Sequence, residues 1–141
     1  MMMKLFGVAA LGVAALALSG QTAPSRYVEG QVWSYHTRPQ DVGSLVKIQK
    51  IERDAHGAIY HVSIIGVHFA NSRLGGMLPH LPVSAATLDA SVTTRADTTA
   101  EVPTTAVDEG IAEWRRANGG IFTIPLSQIV DIIDTQTRAT P

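Results

Sequence analysis

The chain of 141 residues contains no cysteine. Disulfide bonds, a cysteine nucleophile and a lipid-anchored lipoprotein are therefore excluded, because each of them needs a thiol. The stability of the fold must come from its hydrophobic core. A domain of about 120 residues can bury roughly 65% of the surface of its unfolded chain, which is sufficient for an ordinary core.

Charged residues are few, and their signs are nearly balanced. The chain has 11 Lys and Arg against 12 Asp and Glu, a formal charge of −1 with neutral histidines. Domains that bind nucleic acid usually carry a basic stripe. We therefore expect no nucleic-acid partner.

The motifs of common catalytic and metal sites are also missing. No Gly-x-Ser-x-Gly nucleophile elbow occurs, and none of the five histidines has His-x-His or His-Glu-x-x-His spacing. The glycine pairs lie outside any phosphate-binding pattern. We therefore expect no catalytic residue, no metal site and no cofactor.

The longest apolar run is too short to cross a membrane. It has 14 residues, Leu5–Leu18, whereas a membrane-spanning helix needs about 20. A lysine precedes the run and small residues follow it, which is the pattern of a secretory signal peptide. We predict a signal peptide over residues 1–23, cleaved near Ser19–Ala23, and a periplasmic or secreted domain over residues 24–141 without a stable transmembrane span. The alternative is that the segment remains as an uncleaved anchor.

Three runs rich in β-branched and aromatic residues predict an antiparallel meander. They cover residues 27–38, 44–53 and 59–69, with turn-forming residues between them. A short fourth strand is predicted at residues 121–124. The intervening segment 71–82 is expected to be a loop because it contains two prolines.

Helical periodicity predicts the cover for this sheet. A first helix begins after Ser84, which is a favourable N-cap; a second covers residues 108–118, and a third begins near Ser127. We predict an α+β fold in which a small antiparallel sheet packs two to three helices on one face.

The alternation of side chains along the strands assigns residues to two faces of the sheet. Trp33 and Tyr35 are the largest of them, so their face is expected to lie in the core, beneath the helix that carries Ile111 and Trp114. The apolar residues change face at Gly66, which predicts a β-bulge there. The opposite face is expected to be open to solvent and carries Ser34, His36, Arg38, Lys47, Gln49, His61 and Ser63.

This polar face is the predicted binding surface. Arg38 and Lys47 would recognise an anionic partner through charge-assisted hydrogen bonds. His36 and His61 would tighten binding below their ordinary pKa of about 6.5. His80 is a further candidate because prolines hold it in a stiff segment. The expected partner is a protein or a cell-envelope component; the alternative is that these residues only keep the sheet soluble.

Several segments resemble those of a group of small bacterial proteins with no established activity. They are GQVWSY at residues 30–35 followed by TRP at 37–39, LPHLP at 78–82 and GIFTIP at 120–125. The resemblance extends over about residues 27–134. It implies no catalytic residue.

The sequence as a whole therefore favours an exported binding protein without catalytic activity. The alternative is a hydrolase-type enzyme in which His80 and Asp89 form the acid–base pair. A deep polar pocket that contains His80 would favour the enzyme.

Overall fold

The computed structural model describes residues 26–138. The predicted signal peptide and its cleavage sites lie outside the described residues. The strands are β1 (Val32–Tyr35), β2 (Leu45–Asp54), β3 (Gly57–Ile65), β4 (Met77–Val83) and β5 (Val92–Arg95). The helices are α1 (Ala85–Ser91), which lies between β4 and β5, α2 (Thr104–Arg116) and α3 (Leu126–Arg138).

The five strands form one antiparallel sheet in the order β4-β3-β2-β1-β5. The first three strands are the predicted meander, with β2 between β1 and β3. The α+β fold class is confirmed. The sheet is wider than predicted because β4 and β5 flank the meander on either side.

Strand β4 occupies the segment that was expected to be a loop. Its prolines, Pro79 and Pro82, are tolerated because β4 is an edge strand, where one side of the backbone has no ladder partner. The predicted fourth strand is reduced to a single parallel bridge between Phe122 and Val83. Phe122 N–H donates to Pro82 O at 3.0 Å and Phe122 O accepts from Ser84 N–H at 3.0 Å, so this segment covers the outer side of β4.

The main core lies on the face of the sheet that carries Trp33. Aligned residues of four neighbouring strands, all buried, cross this face as a row: Trp33, Val46, Ile64 and Leu78. Helices α1 and α3 cover the row with fully buried side chains, namely Leu88, Leu126, Ile129 and Val130. The prediction that the Trp33 and Tyr35 face lies in the core is confirmed.

Helix α2 lies on the opposite face of the sheet, which was expected to be exposed. Its Trp114 ring packs edge-on against His61, with 5.0 Å between the ring centroids. Trp33 instead packs edge-on against Tyr27, at 5.8 Å. The prediction that α2 covers Trp33 is therefore wrong, and the three helices divide between two faces. The helix ends as predicted, because Asn118 has a left-handed φ of 49°.

A β-bulge in β2 aligns the apolar side chains with the core. Ile48 pairs with Val62 and Lys50 pairs with His61, so Gln49 is the extra residue. The prediction of a bulge at Gly66 is wrong; the other register shifts of the sheet lie in the β1–β5 and β3–β4 pairings. Strand β3 ends before that glycine, whose φ of +75° turns the chain away from the sheet.

Within residues 26–138, none of the helices combines the length and the apolar content that crossing a bilayer requires.

Candidate functional site

The residues predicted to bind a partner do not share one exposed surface. Helix α2 and the loop before it cover the face that was expected to be open; Lys47 Nζ, for example, donates to Ala100 O at 3.0 Å. The expectation that Arg38 and His61 point to solvent is wrong. Of the five candidates, Arg38 and His61 are buried, Lys47 and His80 are half-buried, and His36 is exposed.

Arg38 is the centre of a buried ion-pair network. Its Nε donates to Asp41 Oδ2 at 2.6 Å and its Nη1 to Asp134 Oδ2 at 2.8 Å. Its Nη2 donates to His68 O at 3.1 Å, and Asp131 Oδ1 lies 3.4 Å from Nη1. Each nitrogen of the Arg38 guanidinium therefore has a partner within the chain, and the residue is only 7% exposed.

A short 3₁₀ turn beginning at Pro39 places Arg38 beside Asp41. The fixed φ of proline suits the first position of the turn, and Asp41 N–H closes it by donating to Arg38 O at 2.9 Å. The other two carboxylates, Asp131 and Asp134, come from α3, where a spacing of three residues puts them on adjacent turns. The network therefore ties the end of β1 to α3.

The Arg38 network has a net negative charge. Two guanidinium groups, those of Arg38 and Arg138, face three carboxylates, those of Asp41, Asp131 and Asp134, which gives a formal charge of −1. The hydrogen bond from Arg38, together with the N–H of Ala70, lowers the pKa of Asp134. Burial alone would lower the pKa of Arg38, but its hydrogen bonds to the carboxylates outweigh that effect and raise it. Arg38 is therefore neutralised within the chain and does not offer a free charge to an anion.

A groove of about 520 Å³ lies beside this network, between residues 37–40 and the first turns of α3. Its lining residues are Thr37, Arg38, Pro39, Gln40, Ser127, Gln128, Asp131 and Ile132. The side chain of Asp131 is 65% exposed, and Ile132 is 42% exposed. The groove thus presents a carboxylate and a large apolar side chain in one concave surface.

His61 and His80 form a second cluster, beneath α2. His61 Nδ1 lies 2.8 Å from His80 Nε2, and the two rings stack with their centroids 5.0 Å apart. The backbone of α2 passes directly over His80. A Cβ added at Gly110 would lie 2.6 Å from His80 Cβ, so a residue without a side chain is needed at that turn.

His61 Nε2 points towards Glu52 of β2. The nitrogen lies 3.3 Å from Glu52 Oε1, but the geometry is not that of a hydrogen bond, and His61 is 0% exposed. Arg115 of α2 forms an ion pair with the same carboxylate oxygen. The 2.8 Å contact between the rings needs one N–H and one bare nitrogen. With the proton of His61 on Nε2, towards the carboxylate, His61 Nδ1 accepts the bond that His80 Nε2–H donates.

Burial keeps both imidazoles neutral near neutral pH. It lowers the pKa of His80 to about 4, and the charge that His61 gains on protonation contributes to that shift. Burial also lowers the pKa of His61, although Glu52 opposes the effect. Neutral imidazoles can bind metals, but within residues 26–138 no group of three or more His, Asp or Glu side chains could hold a metal ion.

The acid–base pair of the hydrolase hypothesis is not assembled. Asp89 Oδ1 accepts a bond of 2.5 Å from the hydroxyl of Tyr27, whose ring packs against Tyr60. His80 packs against His61. Because Tyr60 and His61 are successive residues of β3, they face opposite sides of the sheet. His80 and Asp89 are therefore separated by the sheet.

Several residues of the two clusters were not predicted from the sequence. They are Asp41, Glu52, Gly110, Arg115, Asp131 and Asp134. The spacing of Asp131 and Asp134 is visible in the sequence, but Arg38 lies 96 residues from Asp134. No periodic pattern relates residues so far apart, because only the packing of α3 beside the end of β1 brings them together.

No protein-family model, no curated protein and no solved structure matches this chain. The resemblance to a group of small bacterial proteins stays a prediction.

Proposed function

We propose that this chain is an exported binding protein without catalytic activity, and that it holds a segment of a partner protein in the groove beside Arg38. The observation that carries the proposal is the pairing of an exposed carboxylate, Asp131, with an exposed apolar side chain, Ile132, in one concave surface. Pro39 and Ile132 are the two apolar residues of the lining, and the other six are polar or charged, so the groove suits a segment that is itself partly polar.

The charge of the groove selects the chemistry of the partner. The Arg38 network carries a formal charge of −1 and its exposed carboxylate is Asp131, so a cationic side chain is attracted there and an anionic one is repelled. This reverses the sign expected from the sequence. A lysine or arginine next to an apolar residue satisfies both features, since the apolar residue packs on Ile132 and Pro39.

The two residues proposed for the hydrolase alternative, His80 and Asp89, cannot act on one substrate together. His80 and Asp89 lie on opposite sides of the sheet, and His80 is covered by α2. General acid–base catalysis needs both groups within hydrogen-bond reach of one substrate. The binding proposal requires no such pair.

The proposal is tested with two tripeptides, Leu-Lys-Leu and Leu-Glu-Leu, each acetylated at the amino end and amidated at the carboxyl end. The isotope-labelled chain is titrated with each peptide while its amide NMR signals are followed. We expect the lysine peptide to shift the signals of Gln40, Gln128 and Ile132, and the glutamate peptide to leave them unchanged.

Asp131→Asn removes the exposed charge with little change in shape. We expect it to weaken binding of the lysine peptide at least tenfold, which corresponds to about 1.4 kcal/mol. Asp108→Asn is the matched control, because Asp108 is an exposed acidic residue of α2 outside the groove. Equal affinity for both peptides, or shifts spread evenly over the surface, would contradict the proposal.

A further inference from the structure

Helix α2 rests on a polar part of the sheet and is held by few apolar contacts. Val107 and Ile111 are its buried residues, and Trp114 is half-buried. These residues are absent from the main hydrophobic core, which lies on the other face. Local stability within a fold follows buried apolar contacts, so α2 has less to lose on opening than α3, which buries Leu126, Ile129 and Val130 completely.

The remaining contacts of α2 converge on the two buried histidines. Trp114 packs on His61 and on His80, with centroid distances of 5.0 and 6.4 Å. Gly110 lies against His80, and Arg115 pairs with Glu52 beside His61. The docking of α2 therefore depends on the state of this histidine pair.

We infer that α2 is a cover released by acid, and that the His61–His80 pair beneath it is the trigger. The hydrogen bond between the two rings uses one N–H and one bare nitrogen, 2.8 Å apart. A proton on His61 Nδ1 would place two N–H groups face to face. A proton on His80 Nδ1 would place a charge under the backbone of α2, where Gly110 leaves no room. The inference does not depend on the proposed peptide groove.

Charged groups from two neighbouring elements, β2 and α2, face the pair. Lys50 and Glu52 come from β2, and Arg115 comes from α2. Lys50 and Arg115 disfavour a proton on His61, while Glu52 favours it. Among these groups only His61 acts on His80, through the charge that His61 gains on protonation. Burial is the larger cause of the lowered pKa of His80.

The direction of the pH effect follows from the lowered pKa values. When α2 opens, both imidazoles regain solvent and an ordinary pKa of about 6.5. The open form then binds more protons than the docked form below that pH, so acid favours opening. For His80, with a docked pKa of about 4, the opening equilibrium should rise about 30-fold between pH 7.5 and 5. Above about pH 7 the cover stays closed.

Amide hydrogen exchange of the purified chain tests the inference, because it reports local opening even when the open form is rare. After correction for intrinsic exchange rates, we expect protection of the α2 amides to fall about 30-fold or more between pH 7.5 and 5. Protection of the Ile129 and Val130 amides in α3 should change far less. The experiment stops at pH 5 because most carboxylates are still ionised at that pH, so the change reports mainly on the histidines.

Three variants separate the trigger from general acid sensitivity. His80→Gln keeps a donor near His61 Nδ1 but cannot be protonated, so most of the pH dependence in α2 should disappear. His36→Gln, at an exposed histidine, should leave it unchanged. Gly110→Ala should lower protection of α2 at every pH, because its Cβ overlaps His80.

Two results would overturn the inference. One is protection in α2 that does not change with pH in the wild-type chain, a measurement that needs no variant. The other is a parallel loss of protection in α2 and α3, which would show that acid acts on the whole fold. If His80→Gln does not fold at pH 7.5, the wild-type profiles and Gly110→Ala decide the question.

Discussion

A buried guanidinium needs carboxylates beside it to compensate its charge, and buried carboxylates need the guanidinium for the same reason. Arg38 and its two closest partners, Asp41 and Asp134, are each less than 10% exposed. The attraction within the network offsets the cost of removing these charges from water. The main role of the Arg38 network is therefore to fix the end of β1 against α3.

Arg38→Gln is expected to lower the free energy of unfolding by about 3–5 kcal/mol, because it removes the nearest counter-charge of two buried carboxylates, Asp41 and Asp134. Urea denaturation followed by circular dichroism measures the loss. Arg116→Gln is the matched control, since Arg116 pairs with Glu113 on the exposed side of α2; such pairs contribute at most about 1 kcal/mol. Equal losses for the two variants would contradict a structural role for Arg38.

At the scale of single residues, burial was predictable where a side chain is apolar and its strand is regular. Trp33 and Tyr35 were assigned to the core by alternation and size, and both are buried. Arg38 was assigned to solvent by the same rule. The rule failed there because Arg38 lies after the end of β1, where the chain no longer alternates.

At the scale of secondary structure, the bulge at Gln49 sets the register of the central strands. Ile48 and Ile51 lie on the core face although three positions separate them, because Gln49 adds one residue between the pairs Ile48–Val62 and Lys50–His61. Without this extra residue the two strands would alternate regularly.

Deletion of Gln49 should therefore preserve the fold, with the loss of one side-chain bond to Ser63. Deletion of Lys47, which lies in a regular part of the same strand, should shift the register and move apolar side chains off the core face. Circular dichroism and urea denaturation distinguish the two. We expect a cooperative transition for the Gln49 deletion and none for the Lys47 deletion; the opposite order would show that the bulge is required.

The meander and the helix ends were predictable because their signals are local. Ser84 caps α1 by accepting from Thr87 N–H at 3.1 Å, and Asn118 ends α2. Strand β4 was not predictable from local rules. Prolines argue against a strand in general, and only the position of β4 at the edge of the sheet removes that objection.

At the scale of the whole molecule, export is the prediction that is most directly testable. The apolar run before residue 19 should direct secretion, and processing should leave an amino terminus between Gly20 and Pro24. Mass spectrometry of the periplasmic or secreted protein measures this terminus. Recovery of only the full-length chain from the cytosol would contradict it.

The division of helices between two faces could not be read from the sequence. Helix α2 has an apolar stripe, but the stripe itself does not say which face of the sheet it covers. The choice depends on contacts such as the close fit of Gly110 against His80 and the ion pair of Arg115 with Glu52. These contacts exist only after the sheet has formed.

The unequal edges of the sheet limit how copies of this molecule could associate. Within residues 26–138, β4 is closed on its outer side by Pro79, Pro82 and the segment at Phe122. The other edge strand, β5, presents exposed residues on a short β-branched run. Two copies joined through β5 would leave only closed edges outside. Such pairing is finite, ending at two molecules instead of growing into a fibre.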